Sequence, residues 1–261
     1  FPNDGNFHGM LAHFLVENKQ YELALAESLR ARQASAASAQ SRMELAVLEN
    51  TVGAYEDAIR NATALEQEAG SSKAVRASAA GVAGLRFEAS GQRDTAISHL
   101  REAIALDPSQ ENSYLALAFI LEKSGRYREA VDILEQGRRS LPKSASILLS
   151  LGSDLVGAEQ YQAGIQALNE FIKTSPDEPK AYLQLADAYR KTGDSRKETQ
   201  ALRDLALRHP DYPGIHMSIA RAMLNREPPD YAKVVEELDL ADKTTPSDPD
   251  VLYLRGKVFL A

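Results

Sequence analysis

The sequence predicts an all-α fold, a solenoid of antiparallel helix pairs, and three observations carry that expectation. Prolines recur at Pro108, Pro142, Pro176 and Pro210, each 34 residues after the last, and Pro246 follows after 36. Small residues keep the same step at Ala12, Ala46, Gly84, Ala118, Gly152, Ala186, Ala220 and Gly256, and a second series runs through Ala24, Ala58, Ala96, Ala130 and Gly164. Between these markers the apolar residues are spaced for helices. Tyr114, Leu117, Ala118 and Leu121 stand at i, i+3, i+4 and i+7, one stripe of a helix. No segment alternates in the manner of a half-buried strand.

The ladders divide the chain into units near 5–38, 39–76, 77–110, 111–144, 145–178, 179–212 and 213–248, with a partial unit over 249–261, all read as one solenoid over 1–261. The stretch "GRYREAVDILEQGRRSLP" shows how each residue type serves. Gly125 stops the first helix, because glycine enters the left-handed conformation of a helix C-terminus without a steric penalty. Tyr127, Ala130, Val131 and Leu134 form the apolar stripe of the second helix, and Pro142 falls just past its end, where no helical hydrogen bond is lost. The small residues are expected where two helices cross at short distance. The large ones fill the space between neighbours, since one unit cannot bury its own apolar face. The register slips by four residues at "EQEAGSSK" and by two at "NREPPD", polar stretches read as loop insertions. In the partial unit, Val251, Leu252, Val258 and Phe259 read as one stripe without a second helix to cover it. The expectation is that the natural chain continues, or that two copies self-associate through this C-terminal helix. A chain beginning at Phe1 reads as a processed protein or an excised fragment.

These features resemble the tetratricopeptide repeat over nearly the whole chain. The fourth unit carries the pattern as Tyr114, Leu117-Ala118, Leu121, Gly125, Tyr127, Ala130, Leu134, Gly137 and Pro142. The sixth carries Tyr182, Leu185-Ala186, Tyr189, Gly193, Leu202 and Pro210, and departs at Glu198, where a small residue is usual. The second departs most, with Glu49 and Ala62 at positions that normally hold large apolar groups, and Ala36 and Gly70 replace the terminal proline of the first two units. The resemblance implies a right-handed superhelical solenoid that serves as a non-catalytic scaffold for protein–protein interaction, holding a peptide or a helix of a partner in a concave groove. The alternative is a recognition or targeting arm of a larger multidomain enzyme or envelope assembly protein.

Composition agrees with a binding role and points to no chemistry. Cysteine is absent, which excludes disulfides, thiolate metal sites and a cysteine nucleophile. The formal net charge of -7 argues against general nucleic-acid binding, which requires a basic face. No apolar run approaches the length of a membrane span, so the chain reads as soluble, either cytoplasmic or extracytoplasmic after removal of a signal peptide. His8 and His13 are five apart and do not share a helix face as a metal pair would, and His216 stands where the family usually carries an aromatic. The glycines of "GVAGLRFEASG" read as close helix packing rather than a phosphate loop, and "NAT" at Asn61 lies within a helical stretch. No catalytic, metal or cofactor residue is expected.

The resemblance also implies which positions line the groove: the second, fifth, sixth, ninth, twelfth and thirteenth of each unit. The partner-binding residues expected on this basis are Met43, Val47, Leu85, Leu115, Phe119, Leu149, Leu183, Asp187, Arg190, Met217, Arg221 and Tyr253. The centre of this surface is apolar, with Met43 and Phe119 turned away from the packing face, and its C-terminal part is charged. Two specialised groove chemistries of the family find no match here. The Lys-Asn pairing that clamps a terminal carboxylate is missing at the fifth and ninth positions. No asparagine ladder occupies the sixth, which reads Met10, Glu44, Val82, Ala116, Ser150, Gln184, Ser218 and Leu254.

Overall fold

A computed structural model describes residues 4–33, 39–51, 55–68, 70–246 and 248–260. Ala36 lies outside them. Among the described residues there are fifteen α-helices and no strand. The chain forms two compact units, Phe1–Pro142 and Lys143–Ala261. The first holds α1 (Gly5–Glu17), α2 (Tyr21–Gln33), α3 (Ala39–Thr51), α4 (Tyr55–Gln67), α5 (Lys73–Ala89), α6 (Arg93–Leu106), α7 (Glu111–Lys123) and α8 (Tyr127–Ser140). The second holds α9 (Ala145–Gly157), α10 (Tyr161–Thr174), α11 (Pro179–Lys191), α12 (Ser195–Arg208), α13 (Ile215–Leu224), α14 (Tyr231–Thr244) and α15 (Pro249–Phe259). Within each unit every helix packs on the one before and the one after it, and odd-numbered helices also touch one another: α3 with α5, α5 with α7, α9 with α11. Within each unit the odd helices therefore form one layer and the even helices the other.

The small-residue ladders mark the crossings. A methyl group built on Gly84 would lie 2.6 Å from Leu100 Cγ and 3.1 Å from the carbonyl oxygen of Ala96, so α5 and α6 touch nearly backbone to backbone. In the second unit a methyl on Gly152 would meet Leu168 Cγ at 2.8 Å, and one on Gly164 would meet Val156 Cγ2 at 2.7 Å and the Gly152 carbonyl oxygen at 3.1 Å. Ala24, Ala58, Ala96 and Ala130 occupy the same crossing in the other pairs and are fully buried.

The turns within the first, third, fourth, fifth and sixth pairs share one geometry, whether or not glycine occupies them. Gly125 has φ +71, its N–H reaches the Glu122 carbonyl at 2.8 Å, and the Arg126 N–H reaches Leu121 at 2.8 Å. Glu159 stands at the equivalent place with φ +63, and the Gln160 N–H reaches Leu155 at 2.8 Å. Lys19 does the same with φ +59. A left-handed non-glycine residue costs about 1 kcal/mol, and the hydrogen bonds that close the turn hold it there.

Two features differ from the sequence expectation. The four extra residues before the third pair do not lengthen a loop. They add a turn to the start of α5, which begins at Lys73 rather than Ala77 and is capped by the Ser72 hydroxyl accepting from the Val75 N–H at 3.3 Å. The last helix also presents a narrower stripe to the core than expected. Val251 and Leu254 are buried and Val258 packs beside them, whereas Leu252 and Phe259 face outward. The buried residues are spaced i, i+3 and i+7, the face that a straight helix can lay on α14.

The departures from the repeat pattern are absorbed by polar pairing in one case and left as a cost in another. Glu49 is buried in α3 and accepts both contacts from the Asn61 side-chain amide of α4, at 2.9 and 2.7 Å. Glu198 is buried at the crossing where Ala130 and Gly164 stand in the preceding pairs, and burial raises its pKa above the ordinary carboxylate value. The folded state therefore holds the Glu198 proton more tightly than the unfolded chain does. Stability falls as pH rises through the ordinary carboxylate range to the raised folded value, and stays at its lower level above it. Glu198→Ala is expected to raise the melting temperature at pH 7 by about 2–4 °C, for relief of about 1 kcal/mol of buried-polar cost. The gain should shrink as pH is lowered through the raised pKa. A melting temperature unchanged at pH 7, read by circular dichroism, would refute this account.

Candidate peptide-binding surface

The helix layer formed by odd-numbered elements carries the expected groove positions, and the two units differ in how they present them. In the first unit, two hollows open on this layer. One is lined by Ala12, His13 and Val16 of α1, Met43, Glu44, Val47 and Thr51 of α3, and Ser78 of α5. The other is lined by Ser78, Gly81, Val82 and Leu85 of α5 and by Gln110 to Ser113 at the start of α7. Ser78 belongs to both, so the two hollows adjoin. Gln110 donates to the Ser78 hydroxyl at 3.2 Å and closes the floor between α5 and α7.

The expected residues separate by burial. Val47, Leu85 and Phe119 are exposed, Phe119 by 47%, although each is a large apolar group on a helix whose other face is fully buried. Leu115 is half-buried. Met43 corrects the expectation that it stands free of the packing face. It is only 4% exposed and packs with Ala46, Leu65 and Val75, so it forms the wall of the first hollow from the core side. The helix α5 leans on α3 at this point with the small side chains Ala79 and Ala83, which lets the thioether reach inward.

In the second unit the corresponding apolar residues serve packing more than display. Leu149, Leu183 and Met217 are partly buried against the core formed with Tyr182, Leu185, Ile219 and Leu254. The charged positions are already satisfied. Arg190 is ion-paired to Asp187, Lys191 Nζ lies 3.3 Å from the same carboxylate, and Arg221 reaches Asp250 at 2.6 Å. Tyr253 is exposed, with Lys257 Nζ 5.9 Å from its ring centre.

The same positional rule reaches further residues that the sequence reading did not single out. Val16, Glu17, Glu88 and Glu122 stand at twelfth and thirteenth positions, and all but the half-buried Glu88 are exposed. Their place one turn after the ninth-position residue was the available signal.

Three histidines elsewhere are engaged by carboxylates of nearby helices. His8 of α1 meets Glu27 of α2 at 2.6 Å, His99 of α6 meets Glu66 of α4 at 2.9 Å and stacks on Phe87, and His216 of α13 meets Glu237 of α14 at 2.9 Å. His216 stands where the family usually carries an aromatic. It is half-buried, and its ring is held by this carboxylate. Burial raises the Glu66 pKa, partly offset by His99. Among the described residues no group of three or more histidines and carboxylates is placed to hold a metal ion, and no helix is long and apolar enough to cross a membrane. Gly81 and Gly84 lie within α5 and Gly91 in the turn after it, and Asn61 lies within α4.

Comparison with known proteins places this architecture. Two tetratricopeptide repeat models match, over residues 88–151 and 149–213. No curated protein matches the sequence. Among solved structures, the C-terminal part of a TPR repeat-containing protein from Cytophaga hutchinsonii is similar at 16% identity, over 94% of this chain and 98% of its own, with a TM-score of 0.77. A tetratricopeptide repeat protein from Parabacteroides merdae is similar at 11% identity over 98% of both chains, with a TM-score of 0.63. YrrB, described as a TPR protein with an unusual peptide-binding site, is similar at 17% identity over 78% of this chain and 98% of its own, with a TM-score of 0.57. At these identities the likeness is one of fold.

Proposed function

The chain belongs to the tetratricopeptide-repeat family, and from that premise we propose that it holds a segment of a partner protein along the odd-helix face of its first unit, without catalysis of its own. The family fold supports a protein–protein interaction scaffold in general. The observation that carries the finer reading is the exposed apolar strip of Val47, Leu85 and Phe119 beside two adjoining hollows. Burying such side chains would return apolar area to a dry environment at about 25 cal/mol per Å², and contiguous exposed apolar surface marks interaction sites. A structural relative, YrrB, is described as having a peptide-binding site.

The strip runs across α3, α5 and α7, so an occupant must span several repeats, as an extended segment or a helix can. The second unit offers less at the matching positions: Leu149, Leu183 and Met217 are partly buried against its core and Arg190 and Arg221 are ion-paired, which leaves Tyr253 exposed on α15. The test is selection of binders from a displayed random peptide library on the whole chain. Affinity is then compared with that of Phe119→Ala. A loss of about tenfold is expected, as for an aromatic at the centre of an interface. Selected peptides that bind Phe119→Ala as tightly as the parent would overturn the assignment.

A further inference from the structure

Carboxylates gather on the helices that carry the apolar strip. Glu17, Glu44, Glu88, Glu111 and Glu122 all stand on the odd-helix layer of the first unit, and Glu44 and Glu111 line the two hollows themselves. Two arginines that start from the same helices, Arg42 and Arg76, turn the other way. Arg42 of α3 is bound to Glu68 at 2.6 Å, beyond the end of α4, and Arg76 of α5 donates to the Glu66 carbonyl at 2.9 Å and approaches Glu102 of α6 at 3.7 Å. Lys123 also stands on the strip, and its ammonium lies 5.0 Å from the ring centre of Phe119. An exposed aromatic face beside carboxylates is a site that attracts ammonium and guanidinium groups.

Building on the reading that this face binds a partner segment, we infer that its occupant is a cationic amphipathic segment, apolar side chains seated on Val47, Leu85 and Phe119 and lysines or arginines set against the flanking glutamates. An acidic segment would meet like charges at both hollows, which disfavours a wrong partner even where its apolar groups fit. The second unit does not share this bias, because Asp187 and Arg221 on its odd-helix layer are each neutralised by a neighbour.

Three synthetic peptides of about twelve residues test this by fluorescence anisotropy on the whole chain at low salt: leucine with lysine, leucine with glutamate, and serine with lysine. The leucine–lysine peptide is expected to bind about tenfold or more tightly than either of the others, with affinity falling as salt is raised, since exposed charge pairs are screened. Glu88→Gln with Glu122→Gln should weaken it about threefold or more. The same change of net charge on α8, Asp132→Asn with Glu135→Gln, should leave it within about twofold. If the glutamate peptide binds equally well and Phe119→Ala weakens both, the groove stands and the charge inference falls. If the serine–lysine peptide binds equally well, or the α8 variant is as weak as the strip variant, attraction is diffuse and the inference falls. If no peptide binds, the inference falls as well, while the library selection judges the groove separately.

Discussion

Leu117→Ala is expected to destabilise the protein by about 3 kcal/mol, while Phe119→Ala, two residues along the same helix, should cost less than about 1 kcal/mol. Leu117 is fully buried, so its truncation loses transfer free energy and leaves a cavity that the neighbouring pairs cannot close, a combination that costs about 2–5 kcal/mol. Phe119 is half-exposed, and the Lys123 ammonium lies over its ring at the surface. The two side chains differ in size in the direction that would favour a larger loss for phenylalanine. A reversed ranking is thus a sensitive sign of which face is core. Urea denaturation of the two variants reads it directly. Equal losses would mean that the odd-helix face is packed rather than displayed, and the proposed groove would go with it.

The second large effect is expected at the helix crossing. Gly164→Leu should lower stability by about 3 kcal/mol, a fall in melting temperature of about 6–10 °C for a chain of this length. The first atom of any side chain there would lie 2.7 Å from Val156 Cγ2, 3.1 Å from the Gly152 carbonyl oxygen and 3.2 Å from the Val156 backbone nitrogen. Side-chain atoms can rotate away, but the two backbone atoms belong to α9 and move only if the helices part. Glycine-to-alanine at this site gains up to about 1 kcal/mol in helix propensity and so blunts the effect, which is why the larger substitution is the better probe. Ala130→Leu repeats the experiment in the first unit, where Ala130 is fully buried at the same crossing. A melting temperature within about a degree of the parent for both would show that the small residues do not mark the contact.

The fold was legible because its information is local and repeated. Each proline, each small residue and each apolar stripe constrains its own pair, and the step of 34 residues reports the same solution many times over. Chance agreement at one pair is diluted by the others, and neighbouring-pair contacts need no long-range pairing to be guessed. The site was legible in part. Val47, Leu85 and Phe119 were named from their register, and all three are exposed on the odd-helix layer. Met43, named by the same rule but at the fifth position, one helical turn before Val47, is buried. Its fate depends on the small residues Ala79 and Ala83 that α5 brings opposite it, and on the extra turn that starts α5 at Lys73.

What the sequence by itself determined, then, is the architecture: helix pairs at a fixed period, small residues at their crossings, and prolines past the second helices. Sterics and helical periodicity act within a few residues, so composition at each position suffices. What only the tertiary structure decided is how each non-consensus residue was accommodated. Glu159 adopts a left-handed turn that glycine fills elsewhere, because the backbone hydrogen bonds closing the turn outweigh its steric cost. Glu49 can be buried in α3 because Asn61 faces it from α4 and donates to its carboxylate. Leu252 and Phe259 stay outside because α14 offers a surface only as wide as Val251, Leu254 and Val258. Each of these outcomes depends on which atoms a neighbouring helix places opposite the residue, a property of the packed pair that the residue's own position in the repeat does not contain.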